Sequence, residues 1–543
     1  MSSEHQTDSA APSTSGPSGA AGSPAAHYAP AANKWLVALA VVFGTFIAVM
    51  DVSVVNVALP HMQGSFGQDL SAITWVATSY SIAEIIMATM AGWWSTLLGR
   101  KRLFLASFAL FTVGSVLAGT AQTFTQMIIY RVIQGIGGGS LIPLSQAIIR
   151  ETFPPEEQGM AMAIYSMGVV LAPAIGPVAG GWLTDHYGWP WIFYINIPVC
   201  IIGMLMVGAF VEDPHYLRRG VKSVDWLGIF LLTVGLTGLQ VVLERGQESN
   251  WFDSNWIIAG TVITVSALLV LVVWELYTRE PVVNIRLLRN VPLSVGSGMG
   301  MLFGMALFGT TFILPQYTQN LLGYSAYEAG LVLLPRAVAL FLITPIAGWL
   351  YNYLDPRLLI AAGVGIIYWS YQELAYLPLS VGFWNLVPIL LLMGAGMPFM
   401  FVTQSTVSLS TINREDMTAA SSIYTLTRRV GGNLGYALIA TLMERRSQFH
   451  HTMLAHHVSD LNSIYTNFHS GLTATLAHHG IDPVSAPYKA LAMINGLVNQ
   501  QARMLAYNDI SWITGVMFLT TLPLVLLFPG RVAIRRPSKP GRA

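Results

Sequence analysis

The sequence predicts an all-α, multi-pass membrane protein of fourteen spans, made of two six-helix halves and two inserted helices. Three observations carry this expectation. Hydrophobic residues make up 54% of the 543 and charged residues only 10%, with a mean hydropathy of +0.57; a soluble chain carries about 25% charged residues. The apolar residues gather into runs of membrane-spanning length, about 20 residues each. Two stretches recur at nearly one offset. Only helices and closed barrels satisfy the backbone in lipid, and barrel strands would alternate over about ten residues. Runs this long are therefore helices.

Residues 1–33 are Ala, Ser, Pro and Gly with almost no large apolar residue. Such a segment cannot bury enough surface to order itself. It lacks the basic flank and apolar core of a cleaved signal, so a disordered cytoplasmic tail is expected. Six spans follow, at 35–56, 75–96, 103–121, 126–149, 160–182 and 191–210, giving an N-terminal half over 34–210. Two spans at 226–243 and 256–274 fill the insertion, 211–290. Six more, at 293–313, 329–350, 358–376, 384–406, 418–442 and 510–529, form a C-terminal half over 291–530. That half contains a long periplasmic loop, 443–509, whose last part has helical periodicity. A basic cytoplasmic tail, 531–543, ends the chain.

The halves rest on two echoes. "AGWWSTLLGRKRLF" (91–104) and "AGWLYNYLDPRLLI" (347–360) each give Ala-Gly-Trp, a short turn, a basic residue and a new apolar run. "PPEEQGMAMAIY" (154–165) and "NREDMTAASSIY" (413–424) each give acidic residues, small residues and Ile-Tyr. The offsets, 256 and 259 residues, nearly agree. Repeat-built bundles are the architecture of many secondary transporters, with the site at the repeat interface.

Basic residues set the orientation. Arg100, Lys101, Arg102, Arg150, Arg218, Arg219, Lys222, Arg279, Arg286, Arg289, Arg357 and Arg414 all follow even-numbered spans. The opposite loops hold only Arg245, Arg445, Arg446, Lys489 and Arg503. Both termini are expected in the cytoplasm. The net charge of +1 gives no reason to invoke nucleic acid.

Charges inside the spans default to function, because they are costly there. Asp51 in span one and Arg131 in span four lie at equal depth, with Gln134 one turn from Arg131 on the same face. Glu84 lies nearer the middle of span two, with no basic residue near it in sequence. A carboxyl in apolar surroundings can titrate near neutrality, as proton coupling requires. The alternatives are a fixed ion pair for Asp51 and Arg131 and a permanently neutral acid for Glu84. Arg336, Arg428 and Arg429 are further buried charges without assignable partners.

Span five, "SMGVVLAPAIGPVAGGWL" (166–183), carries Gly168, Pro173, Gly176, Pro177, Gly180 and Gly181. Gly176 and Gly180 form the G-x-x-x-G that lets helices approach closely in lipid, and each proline bends the helix. The segment reads as close packing or as a pivot or seal between the halves.

No G-x-x-x-x-G-K-[ST] occurs, so ATP is not expected to drive the protein. No zinc-protease or nucleophile-elbow motif suggests an enzyme. The seven histidines of 443–509 match no firm ligand spacing, and no metal site is expected. The single cysteine, Cys200, can make no internal disulfide.

"GVVLAPAIGPVAGGWL" resembles the antiporter motif of span five in the major facilitator superfamily, in its drug:proton antiporters especially. "RVIQGIGGGSLIPLSQAII" (131–149) resembles the span-four motif, and "MDVSVVNVALP" (50–60) that of span one in the fourteen-span branch. "SLIPLSQ" and "WPWIFYINIPV" are similar to the EmrB-type multidrug exporters. In the loop after span two, Gly92, Gly99, Arg100 and Lys101 match the family's gating motif, but Thr96 stands at its acidic position. A charge contact from that position is therefore missing. The resemblance implies a bacterial inner-membrane antiporter that exports hydrophobic drugs or toxic small molecules. The proton gradient would be its energy source, with no cofactor. It also implies a periplasmic membrane-fusion adaptor and an outer-membrane channel as partners. Export of one specific metabolite or amphiphile is an alternative; a receptor or channel retaining the fold is another.

Overall fold

The computed structural model describes residues 33–213, 224–459 and 461–530. The expected tails, Asn33 apart, lie outside the described residues, as do Arg218, Arg219 and Lys222. The described residues are helical, with no strand among them. The first six long helices are α1 (Lys34–Phe66), α2 (Ser71–Leu98), α3 (Arg100–Gly119), α4 (Phe124–Thr152), α5 (Gln158–Tyr187) and α6 (Trp191–Phe210). One-residue interruptions fall at Thr74, Ser140 and Ile195. Then come α7 (Trp226–Arg245) and α8 (Asn255–Tyr277). The rest are α9 (Val291–Gln316), α10 (Ala326–Tyr351), α11 (Pro356–Ala375), α12 (Phe383–Ser408), α13 (Met417–Ala455), α14 (Ser463–His478) and α15 (Ala486–Leu519).

Local chemistry sets the ends. Asn33 accepts from the Trp35 amide to open α1, and Gly67, left-handed at φ 59°, closes it. Capping boxes of Thr123 with Gln126 and Ser325 with Glu328 open α4 and α10. Among the described residues, eleven helices, α1–α8 and α10–α12, are long and apolar enough to cross a membrane. Helices also cover expected spans nine, thirteen and fourteen. α13 carries Arg428 and Arg429, and only the last third of α15 is strongly apolar.

The segment 443–509 is not an open loop. It consists of the end of α13, then α14, then the start of α15, with α14 packed on α15. Its helical periodicity belongs to a helix that runs on into the fourteenth apolar segment.

Helix pairing repeats along the chain. α1 packs on α5, and α4 on α2 and α3; likewise α9 packs on α13, and α12 on α10 and α11. The two sets meet along two seams, α2 with α13 and α5 with α10. α7 and α8 pair with each other, and α7 also touches α2 and α13. Val262, Ile263, Leu269 and Val273 leave an apolar face of α8 exposed, as a lipid-facing helix should.

Candidate functional site

Asp51 of α1 and Arg131 and Gln134 of α4 meet inside the first six-helix set, none more than 1% exposed. Arg131 donates to Asp51 Oδ2 and to Gln134 Oε1, each at 2.6 Å, and to the Val76 carbonyl of α2 at 3.0 Å. Gln134 donates to Asp51 Oδ1 at 2.8 Å and to Ser115 of α3 at 2.9 Å. Asn196 of α6 donates to Asp51 Oδ1 at 2.9 Å and to Ser115 at 3.0 Å. The guanidinium lies 4.2 Å from the Tyr80 ring centre. Five helices thus converge on one carboxylate whose two oxygens are both engaged. Such satisfaction is what makes a buried charge pair tolerable. Asn196, Ser115 and Tyr80 are absent from the sequence-derived set. A serine or asparagine in an apolar run carries no signal of its own.

Glu84 is equally buried, and its partner lies across the seam: Arg429 of α13 donates to Glu84 Oε1 at 2.5 Å. Neighbouring Arg428 sits 5.0 Å from the Phe401 ring centre and beside the Tyr165 hydroxyl of α5. Arg336 of α10 has no ion-pair partner among the described residues; its guanidinium reaches Met397 Sδ at 3.4 Å. A small apolar cavity lies between α5 and the second set, lined by Ser166, Phe303, Leu340, Thr344, Met397 and Phe401 among others. Residues 336, 340 and 344 share one face of α10, so Arg336 stands one turn from that lining.

At the Arg100 end the two sets close on each other. Gly92 of α2 faces the Ala419 backbone of α13, where even a Cβ would fall 2.7 Å from Ala419 Cα. Gly159 of α5 and Gly348 of α10 meet backbone to backbone. Gly99 turns the chain from α2 into α3 at φ 86°, a conformation side chains resist. That turn buries Arg100, which pairs with Glu151 and donates to the Arg414 carbonyl of the other set at 3.0 Å. Lys101 is held on the first set: its amide donates to Asp213 at 2.8 Å and its ammonium to the Gly208 carbonyl at 2.7 Å. Thr96, where the resembling motif has an acid, turns its hydroxyl back to the Trp93 carbonyl at 2.7 Å.

The Gly- and Pro-rich segment of α5 packs chiefly on α1. A Cβ on Gly168 would meet Val42, one on Gly180 Val54, and one on Gly176 the side chain of Ser53. A Cβ on Gly181 would only brush Val57 at 3.9 Å. Pro173 and Pro177 lie inside this helix. The close approach is therefore within the first set. Contact with α10 runs through Gly159, Ala163 and Val178 instead. In the 443–509 region, Arg446 and His450 share Asp509, each at 2.6 Å. Among the described residues no three His, Cys, Asp or Glu gather as metal ligands would.

The Major Facilitator Superfamily sequence model matches residues 41–436. The chain is 32% identical over 505 residues to "Fatty acid resistance protein FarB" of Neisseria gonorrhoeae, covering 92% of this chain and 96% of that one. It is 33% identical over 497 residues to "Multidrug export protein EmrB" of Haemophilus influenzae, covering 90% and 94%. Among solved structures, the proton:xylose symporter XylE superposes with a TM-score of 0.58 at 15% identity, covering 92% and 96%, which speaks to fold alone. Apolar multi-helix architecture and these relatives place the chain in the bacterial inner membrane as a multi-pass protein. With the match spanning most of its length, the chain belongs to the major facilitator superfamily, as an EmrB-type multidrug exporter and not an enzyme.

Proposed function

We propose that the protein is a proton-driven antiporter exporting hydrophobic drugs or toxic small molecules by alternating access, across fourteen spans with both termini cytoplasmic. The observation that carries this reading is the Glu84–Arg429 pair, an ion pair in the seam between the two sets. Protonating Glu84 removes its charge and leaves Arg429 uncompensated in an apolar seam. That penalty falls only on the state in which the two residues meet, so proton binding and conformation are linked. Asp51 and Arg131 supply a second acid–base pair, enclosed within one set and held by Gln134 and Asn196. The Arg100 end then faces the cytoplasm and is shut in this state, while the apolar cavity receives substrate. Protons and substrate use opposite openings of one path, and the gradient is the energy source.

A specific observation favours an amphiphilic substrate within this reading. Among the described residues, Arg336 is a cation without a counter-ion beside an apolar cavity. An anionic head on Arg336 with an apolar body in the cavity would fill both needs. The helices of 443–509, at the end remote from Arg100, are proposed to dock a periplasmic adaptor that hands substrate to an outer-membrane channel.

Glu84→Gln keeps shape and cannot titrate. In vesicles of purified protein it should fold, abolish uphill efflux, and retain counterflow without a gradient. Normal pumping against a gradient would remove Glu84 as the coupling group.

A further inference from the structure

The inserted helix α7 ties itself to both sets. Toward α2, Arg245 donates to Ser71 Oγ and the Ser71 carbonyl, each at 2.6 Å, and to Thr74 Oγ1 at 2.9 Å. Thr78 donates its hydroxyl to Glu244 Oε2. Toward α13, Asn433 donates to Gln240 Oε1, and Gln240 donates to Glu244 Oε1. Trp251, in the turn after α7, donates to Thr441 of α13 at 3.0 Å. One half-buried carboxylate, Glu244, therefore sits in a hydrogen-bonded chain from α2 through α7 to α13. These contacts lie at the end of the seam opposite the Arg100 closure.

Every bond to Glu244 is one it accepts, which is the pattern of an ionised carboxylate. No cation is bonded to it among the described residues. Arg245, its neighbour in sequence, is engaged by α2 and by Glu248 at 2.7 Å. The other titratable groups around it are Glu248 in the turn after α7 and Tyr436 on α13, with Glu84 further off on α2. Glu84 lies about two turns further along α2 and is held by Arg429. The only titratable residues of α8, Glu275 and Tyr277, lie at its far end.

We propose that Glu244 is a second proton-binding carboxyl, and that its protonation loosens a latch by which the inserted helices bridge α2 and α13 at the outer end. A proton from solution forms an O–H bond on one carboxyl oxygen. On Oε1, it meets the amide donor of Gln240. That amide must turn over, presenting a donor to Asn433, and the link to α13 survives only if the Asn433 amide turns over too. On Oε2, the hydroxyl of Thr78 turns to the Thr74 carbonyl, 3.2 Å away, and accepts from the acid. In both cases the charge is gone, and bonds about twice as strong as neutral ones become ordinary. With the Arg100 end shut, loosening this bridge is what opens the path outward. The latch deepens the proton-coupled reading above and rests on it.

The test uses the full chain in lipid vesicles, in a Cys200→Ser background, with spin labels at Gly64→Cys and Arg445→Cys. Both positions are exposed, one on each set at the outer end. Between pH 8 and pH 5.5 the parent's inter-label distance should lengthen. Glu244→Gln should show the long distance at both pH values, with the open fraction at pH 8 raised at least fivefold. Asn433→Leu cuts the same chain without touching the carboxyl and should behave alike, which covers a Glu244 variant that fails to fold. A parent-like pH response in Glu244→Gln, parent-like distances at pH 8 in Asn433→Leu, or no response in the parent would each overturn the latch. Proton-coupled efflux is measured on the same vesicles. Its absence in the parent removes the coupling reading, while a pH-dependent distance lost in Glu244→Gln still establishes the latch.

Discussion

Gly92→Ala should change which state the protein occupies more than whether it folds. The added Cβ would lie 2.7 Å from Ala419 Cα, 2.9 Å from its Cβ and 3.1 Å from its nitrogen. Two of those three atoms are backbone, so no rotamer relieves the clash. α2 and α13 must part by about 1 Å to restore ordinary van der Waals contact. Overpacking of this kind costs about 1–3 kcal/mol. Because the contact crosses the seam, the cost falls on the state closed at this end. It should move the equilibrium away from that state by about 5- to 150-fold. Gly176→Ala is the control. Its Cβ would fall against Ser53 Oγ and 2.9 Å from Ser53 Cβ, but α1 and α5 belong to one set, which the proposed cycle moves as a unit. It should lower stability by a similar amount in both states and leave their ratio alone. Spin labels at Arg102→Cys and Glu415→Cys, both exposed at the Arg100 end, report the separation of the sets there. Unchanged distances in Gly92→Ala, or a shift of equal size in Gly176→Ala, would refute the assignment of this contact to the moving seam.

Asp51→Asn leaves Arg131 buried without its counter-charge and should lower stability by about 3–5 kcal/mol, read as thermal unfolding in detergent. Adding Arg131→Met should recover part of that loss, and an additive result would mean the two residues act independently. Arg336→Gln should weaken transport of a long-chain carboxylate at least tenfold relative to a neutral alcohol of equal length, measured as efflux from loaded vesicles. An unchanged ratio would remove Arg336 from the substrate path. Shortening the chain between Ser447 and Tyr488 should abolish adaptor pull-down while efflux in vesicles persists. Undiminished pull-down would put the adaptor contact on the shorter outer turns near Asn250.

The helices were legible because a span announces itself by hydropathy alone. Their ends were less so, since hydropathy ends where polar residues begin while a helix ends only where caps or glycine stop it. α1 runs on past its apolar run, through Pro60, to Phe66, because the first left-handed residue is Gly67. α13 likewise continues past its apolar run to Ala455, and α15 begins at Ala486, well before its own. Asp51, Arg131 and Gln134 could be singled out because charge in an apolar run is rare and equal depth can be counted. The partner of Glu84 could not, being 345 residues away on a helix whose rotation no local pattern fixes. Glu244 falls at the very edge of its apolar run, where a carboxyl reads as an ordinary interfacial residue. Only the packing of α7 into the seam gives it partners.

At 39 residues, α13 is a rod about 58 Å long. One end carries Ala419 at the Arg100 closure; the other stands in the helical hairpin beyond the bundle. A rod transmits angle as displacement: a tilt of about 10° at the closure would carry its far end about 10 Å, given that length. In the proposed cycle, whatever rests on the hairpin would be displaced each time the closure opens. Such a tilt would carry the position of the closure mechanically to the hairpin, without any molecule having to cross.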